Sequence, residues 1–568
     1  MLGRLKEIMT TPILREWLTY RVLHPWDGGV KTSSLLQRPS YLDKINFQVG
    51  KPVKKLAFTS HFEKVDYQTA VKKLSLNEDF LVKPNIIAAK VVDSEEHGTY
   101  YRFQWLSQYM VLGGSVREAL AVINEWCKTP IPFFDNAYTT AERIGNWVLF
   151  LERTNALDLL SDSEKELINK RVEEDAYSII DNFEFYGDDL TGNHLLANAR
   201  GLAWAGYFLG SLELLEYAKK IVEEEISRLS PVDGMIREGS SHYQFLLTRN
   251  LLESLMIFKC SSLERLGKLE VAVREHAKSC LFFKVNDKMP YFGDISPDAP
   301  PFYFWHVPEA ALFFLDQTDL DETDEVSKGW ASNYFVKLKV KEASDVNAFE
   351  SKRGEFVRLE KDGAILFFHL NSNGIPLLAT HAHCDSGAAV LYYCGREVLI
   401  DTGRLDYGSS SKSYTSSSAH NVLLIDGKAP EEMRRGVFGQ SFIKWRFSKG
   451  PGLECISDDD VKVHLSSFDH LGIKVIRRYT IINNSVVLEF SLLGKGKHHL
   501  FIPFFLHKSV DTQALSCPEE GEWLLDDSRL LTARAIAYGV EDKLKAASWS
   551  GHVKLPWIGH FTIDLGKI

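Results

Sequence analysis

A helical domain followed by an antiparallel β-sandwich, together an α+β multidomain chain, is the fold class this sequence predicts. Two observations carry the prediction. The hydrophobic period is near 3.6 up to about residue 335 and changes to 2 after about residue 350. The chain also has 568 residues, more than one hydrophobic core usually supports, so at least two domains are expected. They are placed at residues 1–335 and 336–568.

In the first half, Glu213–Leu229 and Leu246–Leu266 space their apolar residues three and four apart, as amphipathic helices do. Polar and Gly/Pro breaks such as Ser230–Gly234 separate these segments. Successive helices with short connections suggest an array of paired helices, although no internal repeat fixes their number. Met1–Val22 mixes charged and apolar residues and reads as an amphipathic helix rather than a signal peptide. The acidic stretch Asp319–Lys328 reads as a surface loop near the domain boundary. Beyond it, Arg396–Ile400, Ile443–Phe447 and Ile476–Ile482 read as strands. The last meets Val486–Leu492 across Asn483-Asn484-Ser485, a hairpin turn. Many short strands without intervening helices indicate an antiparallel sandwich.

Composition narrows the function classes. With 66 basic and 76 acidic residues the net charge is −10, which argues against a protein held to nucleic acid by phosphate contacts. It also means that a polyanionic ligand would need a locally basic cleft. Seven scattered cysteines form neither a zinc-finger spacing nor a disulfide framework. No stretch approaches the roughly 18 apolar residues of a membrane span. A soluble protein is expected, cytoplasmic by default and periplasmic or secreted if a leader has been removed. Eight of the 12 Trp precede residue 335, and core packing is the expected role for most of them, ahead of sugar stacking.

Three segments hold residues that could carry chemistry. In Asp189–Ala199, Asn193 and His194 follow a glycine at a helix entrance; taken alone, Asn193 or Thr191 reads as a helix cap and His194 as a surface histidine. In Asp233–Tyr243, Glu238, Ser240, His242 and Tyr243 crowd a polar loop before an apolar helix, which reads equally as a functional loop or as a Ser240 or Ser241 cap with Tyr243 at the edge of the core. The sharper signal is Thr380–Ala389, in which His381, His383 and Asp385 recur at spacing two and would share one face of a strand. Three titratable groups on one face are costly to bury unless they bind metal, pair with each other or line a cleft. Asp401 and His420 follow, and two imidazoles with a carboxylate would suit zinc.

The run THAHCDSGAAVLYYCGREVLIDTG, followed by SSSAHNVLLIDG, resembles the heparinase II/III-like C-terminal domain. Upstream, AERIGNW, GNHLL, REGSSHY and YFGDISPD resemble that family's helical domain, in the same order. The resemblance runs from about residue 100 to 425. It implies an N-terminal incomplete (α/α) toroid and a C-terminal antiparallel β-sandwich with a glycan cleft between them. It further implies a polysaccharide lyase that cleaves a uronate-containing glycan by β-elimination. Residue by residue, Asn193 and His194 fall at the carboxylate-neutralising positions, Tyr243 at the catalytic tyrosine and His381 at the catalytic histidine. Arg143, Asn146, Trp147 and Glu238 fall among the substrate-binding residues. His383, Asp401 and His420 match the ligands of a structural zinc held by some members; no organic cofactor is implied. Cys384 stands where many members carry a small residue, and offers either tighter packing or a thiolate to a metal.

These residue types suit the reaction. Removing the C5 proton of a uronate develops negative charge on an enolate-like carboxyl group, which donors such as Asn193 and His194 would stabilise. Loss of one such donor typically costs about 10²–10³ in rate. A base at C5 and an acid at the glycosidic oxygen complete the set, and Tyr243 and His381 are the candidates, with room expected for a sugar ring between them. Two other readings stand beside this one: a zinc-dependent hydrolase, in which the metal activates water, and a non-catalytic glycan-binding protein of surface polysaccharide assembly. The expected partner is an acidic polysaccharide, with no nucleic acid and no membrane span.

Overall fold

The computed structural model describes residues 39–50, 56, 98–99, 101–111, 113–128, 136–185, 191–230, 233–316, 325–326, 329–335, 337–338, 351–370, 381–408, 410–430, 451–457, 459–465, 468 and 471–568. The helix expected at Met1–Val22 and the strand expected at Ile443–Phe447 lie outside these residues. Of the loop expected at Asp319–Lys328, only Glu325–Val326 is described, as a short strand.

Nine α-helices are described in the first part of the chain: α1 (Trp105–Val111), α2 (Val116–Lys128), α3 (Ala137–Arg153), α4 (Asp162–Asp181), α5 (His194–Leu209), α6 (Leu212–Leu229), α7 (Ser241–Cys260), α8 (Gly267–Phe283) and α9 (Val307–Asp316). They form an (α/α) toroid in which α5 packs on α3, α6 and α7, and α7 packs on α8. The ends follow local chemistry. Ser161 and Glu164 close a capping box at the start of α4, and Gly210 ends α5 in the left-handed region at φ 64°. Leu246–Leu266 is helical only to Cys260, the end of α7, because the chain turns at Ser262 (φ 59°) and Arg265 (φ 59°) before α8 begins. Leu195–Leu209 is buried on every side of α5, as befits an inner helix. A Cβ on Gly201 would lie 2.5 Å from Ala141, so α3 and α5 meet at backbone contact.

The rest of the chain is antiparallel. In order come β1 (Glu325–Val326), β2 (Lys337–Leu338), β3 (Lys352–Arg353), β4 (Phe356–Lys361), β5 (Ala364–His369), β6 (Ala389–Tyr393) and β7 (Arg396–Leu399). They are followed by β8 (Leu424–Ile425), β9 (Pro451–Ile456), β10 (Asp460–Leu465), β11 (Lys474–Ile482), β12 (Ser485–Leu493) and β13 (Lys497–His507). The last are β14 (Leu515–Ser516), β15 (Gly521–Leu525), β16 (Ala533–Ala537), β17 (Val540–Lys554) and β18 (Trp557–Asp564). One sheet has the order β15-β17-β13-β7-β6-β5-β4-β3, with β8 paired to β13 and β16 to β17; the other has β14-β18-β12-β11-β10-β9. The β11–β12 turn is tighter than the three residues expected. Asn483 and Asn484 alone make it, both at positive φ (44° and 63°), and Ser485 already pairs with Ile482.

Leu359, Leu366 and Phe368 of the larger sheet face Tyr479, Leu488, Phe490 and Phe561 of the smaller one across the sandwich core. The reverse face of β4 and β5 is buried too, because Phe356 and Phe367 pack against Phe283 and Phe282 of α8, with ring centroids 4.9 and 6.0 Å apart. Arg358 reinforces this contact by donating to the carbonyls of Phe282 (2.8 Å) and Lys284 (3.0 Å) at the end of α8. The two domains are thereby joined at the place where the loops bearing the candidate residues meet. Among the described residues, no helix is long and apolar enough to cross a membrane.

Candidate active site

Three loops converge because a glycine lets them touch. Gly293 has φ +72°, and a Cβ there would lie 2.5 Å from the carbonyl oxygen of His381 and 2.6 Å from that of Gly239. Backbone bonds seal the junction: Asp294 N–H donates to His381 O (2.8 Å), Ser241 N–H to Phe292 O (3.0 Å), and Ser240 Oγ to Asp294 O (2.7 Å). Ser240 also caps α7 through the amide of Tyr243. A helix start from the toroid, a loop after α8 and a loop of the sandwich are so brought to one point.

At that point Tyr243 lies flat on His381, ring centroids 3.6 Å apart and planes 12° apart. No sugar ring fits between them, contrary to expectation; a substrate must lie beside the stacked pair. Asn193 is the N-cap residue of α5, yet its side chain makes no capping bond. Its Nδ2 instead donates to Glu238 Oε2 (2.9 Å) and lies 3.1 Å from His381 Nε2. A carboxylate can only accept, so Glu238 determines which way the Asn193 amide faces, and His381 Nε2 must then offer its lone pair. The other ring nitrogen, Nδ1, carries the proton and donates it to Asp294 Oδ2 at 3.1 Å. This arrangement aims an accepting Nε2 at the cleft, as a general base requires.

Asp294 is the hub of the cluster. It also takes His383 Nε2 (2.8 Å) and Arg404 Nη1 (3.2 Å to each oxygen). Burial opposes its charge, but Arg404 and the bonds from His381 and His383 outweigh burial and hold its carboxyl well below the usual range. Tyr243 is affected in the opposite sense. Burial and then the nearby Asp298 carboxylate push its phenol well above the ordinary value, more than the hydrogen bond with Tyr407 lowers it. The two hydroxyls lie 3.1 Å apart, and Tyr407 Oη is also 3.5 Å from His381 Nδ1.

His194 lies at the rim, with 40% of its side chain exposed and its ring stacked on Tyr138 at 4.3 Å. Its Nδ1 is 3.0 Å from Glu184 Oε1. Burial pushes Glu184 up, but His194 and the Tyr138 amide more than offset that, and its carboxyl lies below the ordinary value. Asp298, paired to Arg102 at 2.8 Å and bonded to Tyr138, supports the same wall.

His383, Asp401 and His420 form a fully buried group whose ligand atoms all lie within 4.8 Å of one another. His420 Nδ1 is 2.8 Å from Asp401 Oδ2. His383 Nδ1 is buried without a hydrogen-bond partner, while its Nε2 is fixed by Asp294. An imidazole held by a carboxylate on one nitrogen and bare on the other is a metal ligand in waiting, so the donor set fits zinc. Cys384 is buried nearby in sequence but is not one of the group. Asn421, next to His420, knots the site's floor: its Nδ2 donates to Ala389 O (3.0 Å) and Ile400 O (2.8 Å), and its Oδ1 accepts from the Phe505 amide (2.7 Å).

Some expectations need correction. His381–Ala388 is an irregular loop rather than a strand. Asp385 therefore does not join the other two residues, and sits 3.0 Å from His369 Nδ1. Arg143 and Trp147 are 0% exposed, inside the helical domain. Arg143 is committed to Asp175 at 3.1 Å, and Asn146 donates to Arg102 O (2.8 Å) and Gln104 Oε1 (3.1 Å). These three side chains serve the packing of the toroid. Asp294, Arg404, Tyr407, Glu184 and Tyr138 escaped the sequence reading. Only Asp294 lay within a quoted motif, YFGDISPD; Tyr138 is in the first turn of α3, and the rest are ordinary loop residues until the fold gathers them.

Comparison with known proteins adds an independent line. No curated protein matches the sequence. Residues 345–545 match the family described as heparinase II/III-like, C-terminal. Among solved structures, heparinase III superposes with a TM-score of 0.60 at 16% identity, over 84% of this chain and 78% of that one. A second heparinase III structure gives 0.56 at 15% identity, over 89% and 86%. Heparan sulfate lyase HepC from Pedobacter heparinus gives 0.50 at 14% identity, over 84% and 78%. The toroid, the sandwich and the motifs of the second half agree: residues 345–545 match the heparinase II/III-like, C-terminal family, and the chain as a whole has the fold of heparinase III.

Proposed function

We propose that the chain is a polysaccharide lyase that cleaves a uronate-containing acidic glycan by β-elimination, leaving an unsaturated uronate end. The observation that carries this reading is the meeting of Asn193 and Tyr243 from the toroid with His381 from the sandwich, at 3.1 and 3.6 Å from the imidazole. The similarity in fold to heparinase III and to a heparan sulfate lyase supports it.

Roles follow from the hydrogen bonding and the electrostatics. His381 Nε2, bearing a lone pair, takes the C5 proton, and Asp294 stabilises the imidazolium that results. Tyr243, whose phenol stays protonated at neutral pH, is suited to give its proton to the leaving glycosidic oxygen. On substrate binding Asn193 turns the N–H that rests on His381 Nε2 toward the uronate carboxyl group, freeing the imidazole lone pair, and the rim residue His194 donates beside it, where charge develops. Glu238, bonded to Asn193 and 4.0 Å from His381 Nε2, orients this pair from beneath.

Zinc, when bound to His383, Asp401 and His420, would supply a cross-link among the loops around His381. All three ligands are at most 3% exposed, which favours a structural ion over one that activates water, and so favours lyase over hydrolase. The test is ultraviolet absorbance after mixing the protein with a panel of uronate polymers. Lyase action creates the conjugated uronate chromophore. Fragmentation without it would point to a hydrolase, and binding without fragmentation to a non-catalytic glycan-binding protein.

A further inference from the structure

One residue in the sandwich breaks the strand pattern. Along β11, Val475, Tyr479 and Ile481 alternate into the core, and Arg477 occupies the same face. It is 1% exposed and faces Phe490 and Val463 in register on the neighbouring strands. It makes no ion pair with any carboxylate among the described residues, and its Nε has no hydrogen-bond partner. The guanidinium is instead surrounded by the rings of Phe490, Tyr479 and Phe368, at 4.5, 5.0 and 5.9 Å. A buried cation without a counter-charge is costly to a core, and an apolar residue of similar volume is often neutral or better. Departures of this kind from the local pattern tend to mark functional constraint.

What Arg477 reaches is informative. Nη1 donates to the carbonyl of Gly387, which Tyr479 Oη also donates to at 3.2 Å. Nη2 lies 3.5 Å from the carbonyl of Asn421. Gly387 closes the loop that begins with His381 and His383, and Asn421 follows His420. Gly387 has φ +83°, and a Cβ there would approach Arg477 Nη1 to 2.9 Å, so the loop comes as close to the guanidinium as a backbone can.

We propose that Arg477 is a positioning residue for the active-site face: its guanidinium ties the His381–Ala388 loop to the segment bearing His420, at some expense of sandwich stability. This rests on the roles proposed above for His381, His383 and His420. The test compares full-length wild type, Arg477→Met and Arg477→Lys by hydrogen exchange. The reporters are the amides of Cys384, Gly387, Ala388, His420 and Val422, each hydrogen-bonded to a backbone carbonyl. In Arg477→Met they should lose at least about tenfold protection while β12 and β18 keep theirs and the urea midpoint of chelator-treated protein is unchanged or higher. Zinc affinity, measured by competition with a chromophoric chelator, should fall about 10–100-fold. Arg477→Lys, which keeps one cationic donor, should recover part of the protection, and it carries the comparison if Arg477→Met does not fold. Unchanged exchange in both segments, or protection lost evenly across the sandwich with a lowered midpoint, overturns the proposal. A wild-type protein that binds no zinc rejects the metal reading alone, and the exchange result still decides the role of Arg477.

Discussion

Replacing Tyr243 by Phe separates a catalytic role from a packing role more cleanly than any other change. The ring is 5% exposed and stacks on His381 at 3.6 Å, and Phe preserves both the volume and that contact. Only the hydroxyl is lost, with its 3.1 Å bond to Tyr407, whose own contact with His381 Nδ1 at 3.5 Å is kept. One neutral hydrogen bond is worth about 0.5–1.5 kcal/mol, small beside a stability of about 5–15 kcal/mol for a typical domain. Removing a general acid costs about 10²–10⁴ in rate, or about 3–5 kcal/mol of barrier. Turnover should therefore collapse while the thermal transition moves little and KM stays near the wild-type value. The assay is initial-rate absorbance of the unsaturated uronate on whichever polymer the wild type cleaves, with glycan binding and melting measured on the same preparation. A Tyr243→Phe protein that turns over at the wild-type rate would show this tyrosine to be a core residue, and the acid assignment would have to be abandoned.

Asn193→Ala should lower kcat by about 10²–10³ with modest change in KM, because it removes a donor at the developing carboxylate charge; an effect confined to KM in steady-state kinetics would contradict that role. Protein purified without chelator should contain stoichiometric zinc by elemental analysis, and His383→Ala should lose it; zinc-free wild type with full activity would leave His383, Asp401 and His420 as a hydrogen-bonded network only. Acid should destabilise the fold through His276, which burial pushes down to about 4 from 6.5, with Ser230 Oγ 2.6 Å from its Nε2. The unfolded chain then binds more protons between pH about 6.5 and 4, so stability is lost as pH falls through that window, by about 3 kcal/mol at its lower end. Urea midpoints measured across it should drop, and a flat profile would exclude the effect.

The sequence by itself determined the order of the two domains and most of their elements, because hydrophobic period is local information. Glu213–Leu229 matched α6 to within a residue, and the strands at Arg396 and Ile476 appeared where the alternation placed them. The motifs also named Asn193, Tyr243, His381 and the His383–Asp401–His420 set, since short runs of unusual polar residues stand out from a core pattern. Where the reading failed, the deciding contacts were remote in the chain. His381–Ala388 alternates like a strand, yet Asp294, nearly ninety residues earlier, captures two of its histidines and bends it into a loop. Arg143, Asn146 and Trp147 are polar or aromatic in a motif-like run, but Asp175 takes Arg143, Arg102 and Gln104 take Asn146, and Trp147 packs edge-on to Phe103, so all three are absorbed into the toroid. Tyr407 and Arg404 carry no local signal, because their importance is a distance to groups on other elements. The tautomer of His381 is of the same kind: Glu238, Asn193 and Asp294 set it together, from three separate segments, and hydrogen-bond direction between segments has no trace in a linear pattern.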